Sequence, residues 1–310
     1  MKPPLCLLCF RFLFLAALTC HICMLLPRAW AQQTDADRQS LAQLRAKAEQ
    51  GDATAQNELG AAFSLGKLGL TTNSMEAVKW WRKAAEQNCA EAQLSLGGMY
   101  VKGEGVPRDF AEGIKWFRKA ADQGNAKAQY NLGLAHSTGR GVAKDSTESV
   151  NWYRMAADQG DAMAQYNLGW AYATGQGVAQ DETEAAKWYR KAAEQNLANA
   201  QSNLGVCYAN GQGVAKDQVE AVRWYRKAAE QNYALAQYNL GRCYANGESV
   251  VKDEVEAYKW WLLAAAQGDT KAKRNATLLE LLLSPEEIAE GKQRAQAWLD
   301  QRKKPSTNNR

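Results

Sequence analysis

The sequence predicts an all-α solenoid, a stack of helix-turn-helix units, and three observations carry that expectation. Tryptophan recurs every 36 residues, at Trp80, Trp116, Trp152, Trp188, Trp224 and Trp260. A leucine-glycine pair keeps the same beat at Leu59-Gly60, Leu96-Gly97, Leu132-Gly133, Leu168-Gly169, Leu204-Gly205 and Leu240-Gly241. Within each unit the apolar residues return with a period of about 3.6 and not of 2. A fixed repeat of roughly 20–50 residues marks one supersecondary unit that buries its apolar face only against copies of itself.

The elements follow in order from the N-terminus. Lys2 precedes a mostly apolar run over residues 5–26, interrupted by Arg11, and Ala29-Trp30-Ala31 offers small residues where a signal peptidase reads. Residues 1–31 are therefore expected to be a secretory leader cut between Ala31 and Gln32. An uncleaved membrane anchor is the rival, since about 20 apolar residues span a bilayer. A lipoprotein site at Ala17-Leu18-Thr19-Cys20 is disfavoured by the threonine before the cysteine. Residues 32–51 are expected to form a capping helix, because Arg45-Ala46-Lys47-Ala48-Glu49-Gln50 reads as a second helix without a first. Six units then fill residues 52–268, and residues 269–301 are expected to cap the far end. There residues 269–283 begin a seventh first helix and lose its pattern, while Ser284-Pro285-Glu286-Glu287 opens a last helix to about Leu299. The polar, basic residues 302–310 read as a disordered tail.

Inside a unit, an Ala-Gln pair opens the first helix, as at Ala128-Gln129 and Ala164-Gln165. At about 100° per residue, Ala128, Gln129, Leu132, Ala135 and His136 share one side, with Lys127, Tyr130, Asn131 and Leu134 opposite. A Gly-x-Gly-Val turn follows at residues 103–106, 139–142, 175–178 and 211–214, with departures in the first and sixth units. In the second helix of unit five Ala221, Trp224, Tyr225, Ala228 and Ala229 form the apolar face, opposite Glu220, Arg223, Arg226 and Lys227. Its start carries a capping-box pattern in every unit: Asn73 with Glu76, Asp109 with Glu112, Asp145 with Glu148, Asp181 with Glu184, Asp217 with Glu220, Asp253 with Glu256. Its end falls at Asn88, Gly124, Gly160, Asn196, Asn232 or Gly268, the residue types that best accept a left-handed backbone. Glycines inside the first helices, such as Gly133 and Gly169, cost about 1 kcal/mol against alanine. Close approach of the paired helix is the expected compensation.

The run Ala-Gln-Tyr-Asn-Leu-Gly, then Gly-x-Gly-Val, Asp-x-x-Glu and Lys-Trp-Tyr-Arg-Lys-Ala-Ala-Glu-Gln resembles the Sel-one-like repeat, an α/α repeat related in shape to the tetratricopeptide repeat. The resemblance covers residues 52–268. It implies a right-handed superhelix whose concave surface holds other proteins. It also carries an alternative, since some relatives are described as β-lactamases or penicillin binders, which would make the chain a cell-wall or penicillin-interacting hydrolase.

Composition narrows the function. Without the leader's Lys2, Arg11 and Arg28, the 38 basic residues become 35 against 33 acidic ones, which is no footprint for nucleic acid. Cys6, Cys9, Cys20 and Cys23 belong to the leader. Cys89, Cys207 and Cys243 remain, an odd number without a close pair, so the disulfides found in some proteins with this resemblance are not expected. His136 is the single histidine after the leader and stands where other units have Tyr100, Tyr172, Tyr208 and Tyr244, which speaks for packing and against a zinc site. Phosphate-loop and nucleophile-elbow motifs are absent, and the Gly-x-Gly turns lack the strand a dinucleotide site needs. Ser64 and Lys67 spell Ser-x-x-Lys, but the Ser-Asp-Asn and Lys-Thr-Gly segments of penicillin-recognising enzymes are missing and Ser64 falls near a helix end. No catalytic residue, metal or cofactor is expected, and membrane contact follows only if the leader stays attached.

A binding surface is legible instead. Turned away from the buried leucines, the first helices stack Tyr130, Tyr166 and Tyr238 beside Asn131, Asn167, Asn203 and Asn239, with Trp170 breaking a row of smaller or polar residues. Aromatic rings offer large contact area at low entropy cost, and asparagine both donates and accepts toward a peptide backbone. These eight residues are the expected groove for a protein or peptide partner. The competing reading is that Tyr-Asn is repeat consensus serving contacts between adjacent helices.

Overall fold

The computed structural model describes residues 34–303; residues 1–33, which include the expected leader and its cleavage site, and residues 304–310 lie outside them. Among the described residues fifteen helices follow one another: α1 (Asp35–Glu49), α2 (Ala53–Leu65), α3 (Ser74–Glu86), α4 (Ala90–Lys102), α5 (Phe110–Asp122), α6 (Ala126–Thr138), α7 (Ser146–Asp158), α8 (Ala162–Thr174), α9 (Glu182–Glu194), α10 (Ala198–Asn210), α11 (Gln218–Glu230), α12 (Ala234–Asn246), α13 (Glu254–Ala266), α14 (Thr270–Glu280) and α15 (Pro285–Lys303). The pairs α2–α3 through α12–α13 are the six units, each helix packing on the one before and the one after it. The architecture is an all-α solenoid. Among the described residues no helix is long and apolar enough to cross a membrane.

The first helix of each unit, helix A, ends on a left-handed glycine, Gly66 through Gly247, with φ between 65 and 76°. The second, helix B, is N-capped by Asn73, Asp109, Asp145, Asp181, Asp217 or Asp253, whose side-chain oxygen accepts the amide of the glutamate three residues on. The reciprocal half of the expected capping box is not made in these six helices. The N-cap amide already donates to a carbonyl of helix A, as Asp109 N does to Tyr100 O at 2.9 Å and Asp181 N to Tyr172 O at 3.0 Å. The glutamate is freed to pair with a cation one turn later, as in Glu112–Lys115 (3.0 Å) and Glu184–Lys187 (2.7 Å). Among the described residues full boxes sit at the ends of the stack, Thr34 with Asp37 before α1 and Ser284 with Glu287 before α15, where the cap amide donates to the carboxylate three residues on.

Within a unit, helices A and B meet over the glycine that follows the buried leucine. A Cβ built on Gly60, Gly97, Gly133, Gly169, Gly205 or Gly241 would lie 2.5–2.8 Å from the ring of Trp81, Phe117, Tyr153, Tyr189, Tyr225 or Trp261 respectively. The aromatic ring occupies the missing methyl's place, which is the compensation for a glycine inside a helix.

Between units, each core straddles the boundary. Val150, Tyr153, Ala156 and Ala157 of α7 pack with Ala164, Leu168 and Ala171 of α8, and Trp188 of α9 closes the cluster. The same arrangement recurs around Trp116, Trp152 and Trp224. A glutamine staple crosses the same boundary: Gln93 donates to Ala85 O of the preceding helix B (3.1 Å) and accepts from Gln123 of its own helix B (2.7 Å). Gln129, Gln165, Gln201 and Gln237 repeat it. Buried amides with both ends satisfied fix register without an orphaned polar group.

The ends close as cores do. Leu41 and Ala48 of α1 pack with Leu59 and Trp80. At the other end Ala276, Leu279 and Leu283 pack on Tyr258 and Trp261. The last helix runs to Lys303 and not to Leu299, so Arg302 is no part of a free tail: its guanidinium lies 4.8 Å over Trp298 and donates to the Glu230 carbonyl.

Candidate binding face

Two rows of side chains run along the A helices on the side away from the buried leucines. One reads Leu94, Tyr130, Tyr166, Ser202, Tyr238; the other, four residues on, reads Gly98, Leu134, Trp170, Val206, Arg242. Residues four apart lie over one another on a helix, so the rows share a face.

The structure divides the eight expected residues. Tyr130 and Tyr166 are half-buried, their rings 6.0 Å from Tyr153 and 5.8 Å from Tyr189. Burial pushes the Tyr130, Tyr153, Tyr166 and Tyr189 hydroxyls above the ordinary phenol range, and hydrogen bonding to an asparagine of the next unit opposes the rise, Asn167 for the first pair and Asn203 for the second. These tyrosines and asparagines therefore serve contacts between adjacent units. Tyr238 is half-buried, its carbonyl accepting from Trp261 Nε1 at 3.1 Å. Asn239 does not face outward as expected: it is 7 % exposed, closed into the seam position that Asn167 and Asn203 occupy in their units.

Trp170 is different. It is 43 % exposed, with Leu134 (41 %), Met163 (39 %) and Leu235 (41 %) also open to solvent on the A helices. Trp170, Leu134, Tyr153 and Asn167 line a pocket of about 160 Å³, and Asn203, Tyr189 and Val206 line one of about 190 Å³ a unit further on.

A third cleft, of about 500 Å³, lies across units one to three, and Asn131 is the one expected residue on it. Trp81, Leu94, Phe110, Ile114, Phe117 and Leu134 make its walls. Sequence reasoning missed it, although Gly98 was the available sign: it stands in the row of Leu134, Trp170, Val206 and Arg242 with no side chain.

The remaining candidates fall into packing roles. Tyr100, Tyr172, Tyr208 and Tyr244 are half-buried and not core; their hydroxyls accept from Arg82, Arg154, Arg190 and Arg226 of the preceding helix B at 2.6–3.0 Å. His136 takes the same place beside Arg118, Nη2 to Nε2 3.5 Å. Cys207 and Cys243 are buried, and burial pushes both thiols up to about 11. Ser64 sits in the last turn of α2 at the edge of the 500 Å³ cleft, with Lys67 exposed in the turn beyond.

The Sel1 repeat model matches residues 53–89, 90–125, 126–161, 162–197, 198–233 and 234–269. The chain belongs to the Sel1 repeat family. A solved structure of c5321, a protective antigen present in uropathogenic Escherichia coli strains and displaying the SLR fold, is similar at 37 % identity with a TM-score of 0.75; the match covers 84 % of this chain and 56 % of that one. This chain thus spans little more than half the antigen's length. A Sel1 repeat protein from Oxalobacter formigenes is similar at 36 % identity with a TM-score of 0.63, over 69 % of this chain and 86 % of that one. No curated protein matches the sequence. Sel1 repeat proteins generally act by binding other proteins.

Proposed function

We propose that this Sel1 repeat protein is an exported, non-enzymatic scaffold that holds a segment of another protein along the A-helix face, on the concave side of its stack. The observation that carries the reading is Trp170. Its equivalents differ in every unit, so its ring is not required by the repeat, and it stands 43 % exposed where burying it would repay a partner. The outward faces of the B helices are instead solvated charge, with pairs such as Glu220–Arg223 at 3.1 Å that contribute little. Tyr130, Asn131, Tyr166, Asn167, Asn203 and Tyr238 frame the face, partly as supports between units. Ser64 supports no hydrolase reading, since it ends a helix and lacks a neighbouring base in its own turn.

Photo-crosslinking in the producing cell tests the assignment. A crosslinking amino acid in place of Leu134 is expected to capture a discrete protein adduct, and one in place of Arg226 is not. Adducts from both positions, or from Arg226 alone, contradict the face. Export carries its own test. Intact mass is expected to begin at Gln32, and a species retaining Met1 in the membrane fraction favours the anchor.

A further inference from the structure

The two neighbouring glycines of α4 have opposite reasons to exist. Gly97 lies under the Phe117 ring, 2.7 Å from where its Cβ would be. Around Gly98 there is nothing within 4 Å of a Cβ, so neither packing nor backbone geometry demands glycine there. It sits mid-helix, where glycine is the poorest residue after proline. Its absent side chain opens the 500 Å³ cleft over Trp81, Phe110, Ile114 and Phe117, within the size range of roughly 300–1,000 Å³ that binding pockets take.

The rim of this cleft is charged unevenly. Lys102, Glu104 and Arg140 line it. Lys102 and Glu104 face one another at 4.0 Å, which leaves Arg140 with no acidic partner among the described residues. A ligand that matches apolar walls and one uncompensated guanidinium is a large apolar group with a carboxylate beside it.

We propose that the Gly98 cleft is the anchor pocket of the face, taking an aromatic side chain of a partner peptide whose adjacent acidic residue pairs with Arg140. The proposal rests on the protein-binding reading above and adds the partner's chemistry. An aromatic ring buries large apolar area with only two rotatable bonds to freeze, so it is the side chain that gains most from a preformed apolar cleft. The guanidinium sets which neighbour follows it, since an acidic residue is the one that forms a bidentate pair there.

The test is selection of a random heptapeptide display library on the full-length protein, repeated on Gly98→Leu and Arg140→Gln. Gly98→Leu places the side chain of unit three in the cleft, and because leucine favours helix over glycine the variant melts no lower than the native protein. Enrichment of an aromatic residue next to Asp or Glu is expected, with binding at least about ten-fold weaker to Gly98→Leu. Arg140→Gln is expected to weaken the acidic peptides and leave their Asn or Gln counterparts unchanged. An enriched motif that binds Gly98→Leu as well as the native chain overturns the anchor while leaving the broader face intact. Loss of every peptide on Trp170→Ala, with Gly98→Leu inert, does the same. No enrichment on the native chain, or saturation of the cleft by sodium decanoate without competition by any peptide, overturns the peptide assignment.

Discussion

The seam of repeated contacts, within units and between them, and the face the A helices present outward differ in one respect that governs the molecule. In the seam every unit repeats the same contact, a glycine under an aromatic ring, from Gly60–Trp81 to Gly241–Trp261. In the outer row, the five residues Gly98, Leu134, Trp170, Val206 and Arg242 share a register and nothing else. A position that packs copies of one unit on each other tolerates few solutions, so it repeats; a position that meets something else is released from the period. The same contrast holds between Gly97 and Gly98, one residue apart.

Substitutions separate the two regions. The largest effect is expected in the seam. Trp188 is 8 % exposed and closes the core between units three and four, so Trp188→Ala costs about 3–5 kcal/mol. Because units couple mainly to their neighbours, hydrogen exchange accelerates first in α7 to α9 and last at the ends. Equal acceleration in all six units contradicts the seam's locality. A smaller loss follows from overfilling. Gly169→Val sets a branched side chain against the Tyr189 ring and the Ala185 carbonyl, and costs about 1–3 kcal/mol in the urea midpoint. A neutral Gly169→Val denies that the close approach is required.

Alkaline pH probes the seam without mutation. Cys207 and Cys243 hold their protons up to about 11 in the folded chain, and Tyr189 and Tyr225 are raised above the phenol's ordinary 10.0, all through burial. A thiol in the unfolded chain ionises near its ordinary 9.0. Between these values the folded state binds more protons than the unfolded state, so stability falls as pH climbs from about 9 to 11. The urea midpoint is expected to be lower at pH 10.5 than at pH 8, roughly as this linkage requires. Cys89, half-buried, reacts with a thiol reagent before either buried cysteine. A midpoint that rises with pH, or thiols that react together, contradicts the burial.

Much of the fold was legible because repetition multiplies each weak sign six-fold. One Asp-x-x-Glu is a common accident, but five in register, with Asn73-x-x-Glu76 in the first unit, mark the starts of the B helices, and Asn88, Asn196 and Asn232 adopt φ of 66–68° where the sequence placed their ends. What repetition could not convey was the partner of each polar group. The glutamate of the capping pattern pairs with a lysine or an arginine because helix A has already taken the N-cap amide, a tertiary fact invisible in four residues of sequence. The Tyr-Asn pairs read as an outward stripe because a helical wheel knows one helix; Tyr153 and Asn167 come from the next two. Arg302 looked like tail because its acceptor, the Glu230 carbonyl, lies far away in sequence. The Gly98 cleft was hidden for a different reason, since a missing side chain adds nothing to a pattern of present ones.

The measurement closest to the central claim sets Trp170→Ala beside Trp188→Ala, reading for each the urea midpoint and the yield of the crosslinked partner per folded molecule. Trp170→Ala is expected to leave stability within about 0.5 kcal/mol and to weaken partner capture by about 2 kcal/mol or more. Trp188→Ala is expected to do the reverse, losing stability while the molecules that remain folded capture normally. If Trp170→Ala destabilises the stack as Trp188→Ala does and leaves capture per folded molecule unchanged, the outer row is packing and the division between seam and face is wrong.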